Sequence, residues 1–166
     1  MKFKFSAETT SYASKPTKQE AASISNNLQP VYIESIDGFG EDIQQGISWS
    51  PSVFNGPRSN SNWVCQSILA LDFDGGISPQ EAIERMQVYD LTPNLWYPTF
   101  GDTPQKRKFR LLFFLDTVIT NIEARDYLMD GLFAMYPEAD EACKNPAHFF
   151  FGTDKRGQVL TQKHYH

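Results

Sequence analysis

Apolar and polar positions change rhythm along this chain, and the sharpest change falls at Ile68-Leu-Ala-Leu-Asp72-Phe-Asp74-Gly-Gly76. A short unbroken apolar run closed by turn residues predicts a buried strand, here from Trp63 to Phe73. Ser78-Pro-Gln-Glu81 then predicts a helix start with a capping box and Pro79 at the first helical position. That helix carries Ile83, Met86 and Val88 and ends near Asp90. Leu95 to Phe100 reads as a second strand and Phe109 to Leu115 as a third. Thr120-Asn-Ile-Glu123 is another capping box, opening a helix that runs through Tyr136 and stops at Pro137. The apolar run from His148 to Gly152 predicts a fourth strand. Strand, helix, strand, strand, helix, strand is the split βαβ order of ferredoxin-like and RRM-like folds, so residues 63–166 are expected to form an α+β core.

Residues 1–62 are less regular and are expected to form an N-terminal α/β extension packed on that core, the two parts making one globular domain. Met1 to Phe5 alternates like a short strand, Gln19 to Leu28 reads as a helix, and Ile33 to Ile43 as a second short one. Gly46 to Asn62 is rich in Ser, Asn, Pro and Gly and predicts a long ordered loop. No internal repeat is visible.

Composition narrows the classes. A chain of 166 residues with 40% hydrophobic and 14% aromatic content, including thirteen phenylalanines, has enough apolar side chain to bury a core. The formal charge of −5 gives no whole-molecule attraction to nucleic acid, so contacts with phosphate must come from local basic patches. Cys65 and Cys143 lie far apart without metal-ligand spacing and read as reduced thiols. No apolar stretch approaches membrane-spanning length and no signal-peptide core is present, so a soluble cytoplasmic protein is expected, with no membrane partner.

Side chains alternate across a strand, which puts Asp72 and Asp74 on one face. Carboxylates so placed repel one another unless a cation lies between them, and hard oxygen donors suit Mg²⁺ or Mn²⁺. The plainer alternative is a strand that ends at a solvated turn. Asp140, at the end of the second core helix, reads either as a third carboxylate returning to the sheet or as a turn residue. Lys106-Arg-Lys-Phe-Arg110 opens the third strand with four positive charges. Such a run either guards a sheet edge or contacts phosphates. Lys108 and Arg110 share a face and are the better candidates for phosphate contact, and Lys155 with Arg156 forms a second basic cluster. Arg58 is placed to reach a template or to stabilise its own loop. His148 is a candidate ligand contact or a core histidine, while Trp63 and Trp96 read as core.

Five ordered blocks carry a family resemblance: Ala70-Leu-Asp72-Phe-Asp74; Tyr97-Pro-Thr-Phe; Lys108-Phe-Arg110-Leu-Leu-Phe-Phe; Tyr136-Pro-Glu-Ala-Asp140-Glu-Ala-Cys-Lys144; and Phe149-Phe-Phe-Gly152. Over residues 46–157 the chain resembles the archaeo-eukaryotic primase superfamily, most of all the primase-polymerase domains of phages and plasmids. The resemblance implies that Asp72, Asp74 and Asp140 hold the catalytic Mg²⁺ or Mn²⁺. It also implies that Lys108, Arg110, His148 and Lys155 face an incoming nucleoside triphosphate; a single-stranded DNA template is the expected partner, with Arg58 placed to reach it or to stabilise its loop. Polymerisation would follow two-metal logic, one ion activating a 3′-hydroxyl and the other stabilising pyrophosphate. Two positions depart from the family pattern. Thr99-Phe-Gly-Asp102-Thr103 lacks the usual histidine and offers an aspartate that repels phosphate, and His148 stands where the family tends to have arginine. The remaining histidines, His164 and His166, lie at the C-terminal end.

Three other functions fit parts of the pattern. A primase-like domain without turnover would serve as a nucleic-acid or partner-binding module. A metal-dependent nuclease is compatible with three carboxylates. Leu71-Asp72-Phe-Asp74-Gly75 also resembles the opening motif of haloacid-dehalogenase-like phosphatases, with Asp72 as nucleophile, although Gly76 replaces the usual Thr or Val. No Gly-Lys-Ser/Thr phosphate loop is present, so strand unwinding would fall to a separate helicase or a further C-terminal region.

Overall fold

The computed structural model describes residues 2–165; Met1, at the start of the expected first strand, and His166, in the terminal histidine pair, lie outside them. Two antiparallel sheets form the frame. The first has the order β2-β1-β3, built from β1 (Phe3–Ser11), β2 (Gln29–Ile33) and β3 (Ile47–Ser50). The second has the order β4-β5-β7-β6-β8, built from β4 (Ser52–Phe54), β5 (Trp63–Phe73), β6 (Leu95–Pro98), β7 (Phe109–Ile119) and β8 (Gln158–Val159). Helices α1 (Lys18–Asn27) and α2 (Ile36–Gln44) belong to the N-terminal part, α3 (Pro79–Arg85) and α4 (Ile122–Met135) to the core. Among the described residues no helix is long and apolar enough to cross a membrane.

The α+β class and the split are as the pattern predicts. β5 and β6 are both antiparallel to β7, hence parallel to each other with β7 between them, and α3 makes the crossover. The fourth strand is not. Residues 148–152 pair only through a single bridge from Phe150 to Trp49 of β3. The sheet edge beside β5 that a ferredoxin-like fourth strand would fill is taken by β4. β4 and β3 both come from the stretch expected to be loop, and β8 closes the opposite edge against β6. The second core helix also starts one residue later than its sequence suggested: Asn121, not Thr120, caps α4 by accepting from the Ala124 N–H. At α3, Ser78 caps as expected, accepting from the Glu81 N–H.

The core joins both sheets and the helices and is rich in aromatic side chains. Phe39 meets Phe5, Trp49 and Phe114 edge to face, with ring centroids 4.9, 5.0 and 5.5 Å apart. Such offset contacts add to simple burial. One polar thread crosses this core. The Trp49 indole N–H donates to the Tyr97 hydroxyl at 3.1 Å, Arg110 Nη1 donates to the same oxygen at 3.1 Å, and that hydroxyl donates to the Phe151 carbonyl at 3.3 Å. Tyr97 thus uses its one donor and both acceptor positions. Tyr97→Phe should cost roughly 1–3 kcal/mol, because it leaves the buried indole N–H and one guanidinium N–H without an acceptor. Chemical denaturation of the two proteins measures this directly; equal stability would show that the thread carries no energetic weight.

Candidate metal and nucleotide site

Strand register builds the site. Asp72 lies directly opposite Arg110 across β5 and β7, and Arg110 lies opposite Tyr97 across β7 and β6. The three side chains therefore form one row on one sheet face. Arg110 Nε donates to Asp72 Oδ1 at 2.9 Å, and Nη1 donates to the Phe151 carbonyl at 2.6 Å. Burial opposes the guanidinium's charge, but Tyr97 and Asp72 more than offset it, so the Arg110 pKa lies above its ordinary value. One step further along, Lys108 Nζ sits 3.3 Å from Asp74 Oδ1. The chain must turn sharply after Asp74, and Gly75 and Gly76 do so at φ of +114° and +81°, a region that favours glycine.

Asp140 joins from the far side. Its N–H donates to the Asp72 carbonyl at 2.8 Å, and its Oδ1 accepts from the Ala142 N–H at 3.0 Å, capping a short 3₁₀ turn over Glu141–Lys144. Two arginines hold this segment. Arg85 of α3 clasps both oxygens of Glu138 at 2.8 and 2.9 Å. Arg125 of α4, buried, donates to the carbonyls of Cys143 and Lys144 and to Gln66 of β5.

The result is that Asp72, Asp74 and Asp140 each present one carboxylate oxygen, all within 4.8 Å of one another. Oxygens bound to a Mg²⁺-sized ion at about 2.1 Å lie at most about 4.2 Å apart, so only a small closure separates this arrangement from a ligand set. Three hard, anionic oxygen donors without sulfur or imidazole fit a hard divalent cation. Asp72 and Asp74 open onto a cavity of about 180 Å³ lined also by Lys15, Thr99, Phe100, Gly101, Lys108, Arg110, Phe151 and Gly152.

Four further residues singled out in the sequence, Asp102, Lys155, Arg58 and His148, each fall in a different place. Asp102 is turned into the β6–β7 hairpin, accepting from Arg107 Nε at 2.9 Å and from the Lys108 N–H at 2.7 Å. Its charge is spent on the hairpin, which removes the expected conflict with phosphate. Lys155 lies at the hairpin base, its ammonium donating to the Thr99 and Phe100 carbonyls at 3.1 and 2.9 Å. Arg58 donates to Ser25 Oγ at 2.8 Å and to the Ala147 carbonyl, with its guanidinium 4.8 Å from the Phe149 ring centre.

His148 packs edge to face on Phe150 behind the carboxylates. Burial, and then the Arg110 charge, hold its pKa below the ordinary 6.5. The unfolded chain therefore takes up a proton that the fold refuses, so this contribution to stability is complete above pH 6.5 and declines as pH falls below it. Melting curves just below pH 6.5 should show a shallower acid loss for His148→Gln than for the parent; parallel slopes would remove His148 as the cause.

Burial, then the nearby Asp72 charge, push the Cys143 thiol up to about 12, and burial raises Cys65 as well. Neither is a ready thiolate nucleophile.

Sequence reasoning missed Lys15, Tyr97 as the hub of the polar thread, and Arg125. Arg125 carried a weak signal, a basic residue one turn into an otherwise mixed helix. Lys15 carried none, since only tertiary packing brings it to the cavity.

Comparison with protein-family models and with curated proteins gives no match. Among solved structures, the chain is similar to the AEP domain of the primase-polymerase (PrimPol) of cyanophage S-2L. The similarity has a TM-score of 0.54 at 14% identity and covers 99% of this chain and 83% of that one. The chain thus has an α+β fold similar to that of this AEP domain.

Proposed function

We propose that this chain is a divalent-metal-dependent nucleotidyltransferase, a primase-polymerase of a phage or plasmid replication system that extends or starts strands on single-stranded DNA. The observation that carries the reading is the convergence of Asp72, Asp74 and Asp140 from two separate segments, beside a small cavity that Asp72 and Asp74 line together with Lys108 and Arg110. Asp72, Asp74 and Asp140 would hold the ion, which would supply Lewis acidity for nucleotidyl transfer with loss of pyrophosphate. The protein's own part is electrostatic and positional. Arg110 fixes Asp72 in place. Lys108, paired with Asp74 at 3.3 Å and lining the same cavity, would meet phosphate oxygens if that pair opened. Strand unwinding would fall to a separate helicase or to a further region of the protein.

Primer extension on a single-stranded DNA template with Mg²⁺ or Mn²⁺ tests this reading. Template-directed product is expected. Phosphomonoester hydrolysis in its place would favour the phosphatase alternative, and shortening of the primer would favour a nuclease. One observation favours a second reading, a binding module without turnover: Lys108 and Arg110 already neutralise two of the three carboxylates. Such a module would bind single-stranded DNA without any metal-dependent rise in melting temperature, whereas a ligand of the native state raises it.

A further inference from the structure

The cavity beside the three carboxylates is small. At about 180 Å³ it falls below the roughly 300–1,000 Å³ of pockets that enclose a whole drug-sized ligand. It therefore suits the polar tail of a ligand better than a complete nucleotide. Three cations line it, and two are committed: Arg110 to Asp72, Tyr97 and Phe151, and Lys108 to Asp74. The third is Lys15. Among the described residues its ammonium makes no ion pair and no side-chain hydrogen bond.

Lys15 reaches the cavity from a strap, residues 12–17, that joins β1 to α1 and is pinned at both ends. At one end the Tyr12 N–H donates to the Gly46 carbonyl at 3.2 Å. Gly46 adopts φ of +86°, and a Cβ there would lie 1.9 Å from the Tyr12 oxygen. The same turn packs on the site, because a Cβ on Gly152 would lie 2.6 Å from the Gly46 carbonyl carbon. At the other end Pro16 is buried, and Thr17 caps α1 in a reciprocal box with Glu20 at 3.2 and 3.0 Å. Lys15 is exposed, but its backbone is held between two fixed points, and an unpaired ammonium lining a polar cavity is available to an anion.

We propose that Lys15 grips the phosphate tail of the incoming nucleoside triphosphate, giving the strap a binding role that no motif in the chain encodes. The inference rests on the nucleotidyl-transfer reading of the site.

The test is binding of an α,β-methylene deoxynucleoside triphosphate with Mn²⁺, measured by calorimetry on the parent, Lys15→Gln, Lys15→Arg and, as a control for bulk charge, Lys18→Gln. Loss of one charge-assisted contact should weaken triphosphate binding by about tenfold in Lys15→Gln. Lys15→Arg should keep most of the affinity, Lys18→Gln should match the parent, and deoxynucleoside monophosphate should bind parent and Lys15→Gln alike. In primer extension the Lys15→Gln defect should fall on KM for the nucleotide more than on kcat. Equal triphosphate affinity in the parent and Lys15→Gln would overturn the proposal, as would an equal loss in Lys18→Gln. A parent that binds triphosphate through Lys15 yet forms no polymer would refute the polymerase reading and leave the Lys15 contact standing. A parent that extends primers while Lys15→Gln keeps the same KM would do the reverse.

Discussion

Asp140→Asn is expected to abolish metal-dependent nucleotide incorporation while leaving the metal-free fold intact. Asparagine keeps a side-chain oxygen to accept from the Ala142 N–H, so the turn at Glu141–Lys144 persists. The backbone bond from residue 140 to the Asp72 carbonyl persists as well. What disappears is one of three anionic ligands. Loss of an outer partner to a metal ligand already costs roughly 10–100-fold in affinity or activity, so a ligand itself should cost at least about a hundredfold. Mn²⁺ should raise the melting temperature of the parent and much less that of Asp140→Asn, since only binding to the native state stabilises it. Full activity and an unchanged Mn²⁺ response in the variant would remove Asp140 from the site.

Arg110→Leu should have the largest effect on stability. The guanidinium side chain is 10% exposed and its partner carboxylate 16%, so this is a largely buried pair. Removing the cation strands the Asp72 carboxylate, while the Tyr97 hydroxyl keeps the Trp49 indole N–H and the Phe151 carbonyl as partners. Breaking a buried pair from one side costs about 3–5 kcal/mol, and the lower end fits here because Asp72 keeps some contact with water. About 3 kcal/mol corresponds to a fall of roughly 6–12 °C in melting temperature for a domain of this size. Adding Asp72→Asn should return part of that loss, since the stranded group is then neutral. A purely additive double variant would show that the pair is not coupled.

How far the sequence alone could carry this account depended on the range of each interaction. Strands β5 and β7 declared themselves through unbroken apolar runs, and period-two alternation correctly put Asp72 with Asp74 and Lys108 with Arg110 on shared faces. That the two pairs then meet, Asp72 to Arg110 and Asp74 to Lys108, follows from cross-strand register, which no single strand contains. The phenylalanine run at 148–152 has the composition of a strand but not the ladder. Its polar backbone is met by side chains, with Ser50 donating to the His148 carbonyl and Arg110 to that of Phe151, while β4 holds the sheet edge. β3 and β4 were hidden by Ser and Pro in a stretch that reads as loop, yet Ser48, Ser50 and Ser52 are fully buried there. Ser50 and Ser52 bond to the His148 and Pro146 carbonyls, a satisfaction that local composition does not reveal. Asp102 read as a conflict with phosphate because its partners, Arg107 and the Lys108 N–H, are recognisable only once the hairpin closes.

Crystals of the protein grown with Mn²⁺ and the α,β-methylene triphosphate, with the ion located by its anomalous scattering, test the central claim most directly. The expected result is an ion at about the 2.1 Å of a small divalent cation from oxygens of Asp72, Asp74 and Asp140, with Lys108 drawn off Asp74 towards the phosphates. An ion bound elsewhere, or a site in which Lys108 stays on Asp74 and no density joins the three carboxylates, would contradict it.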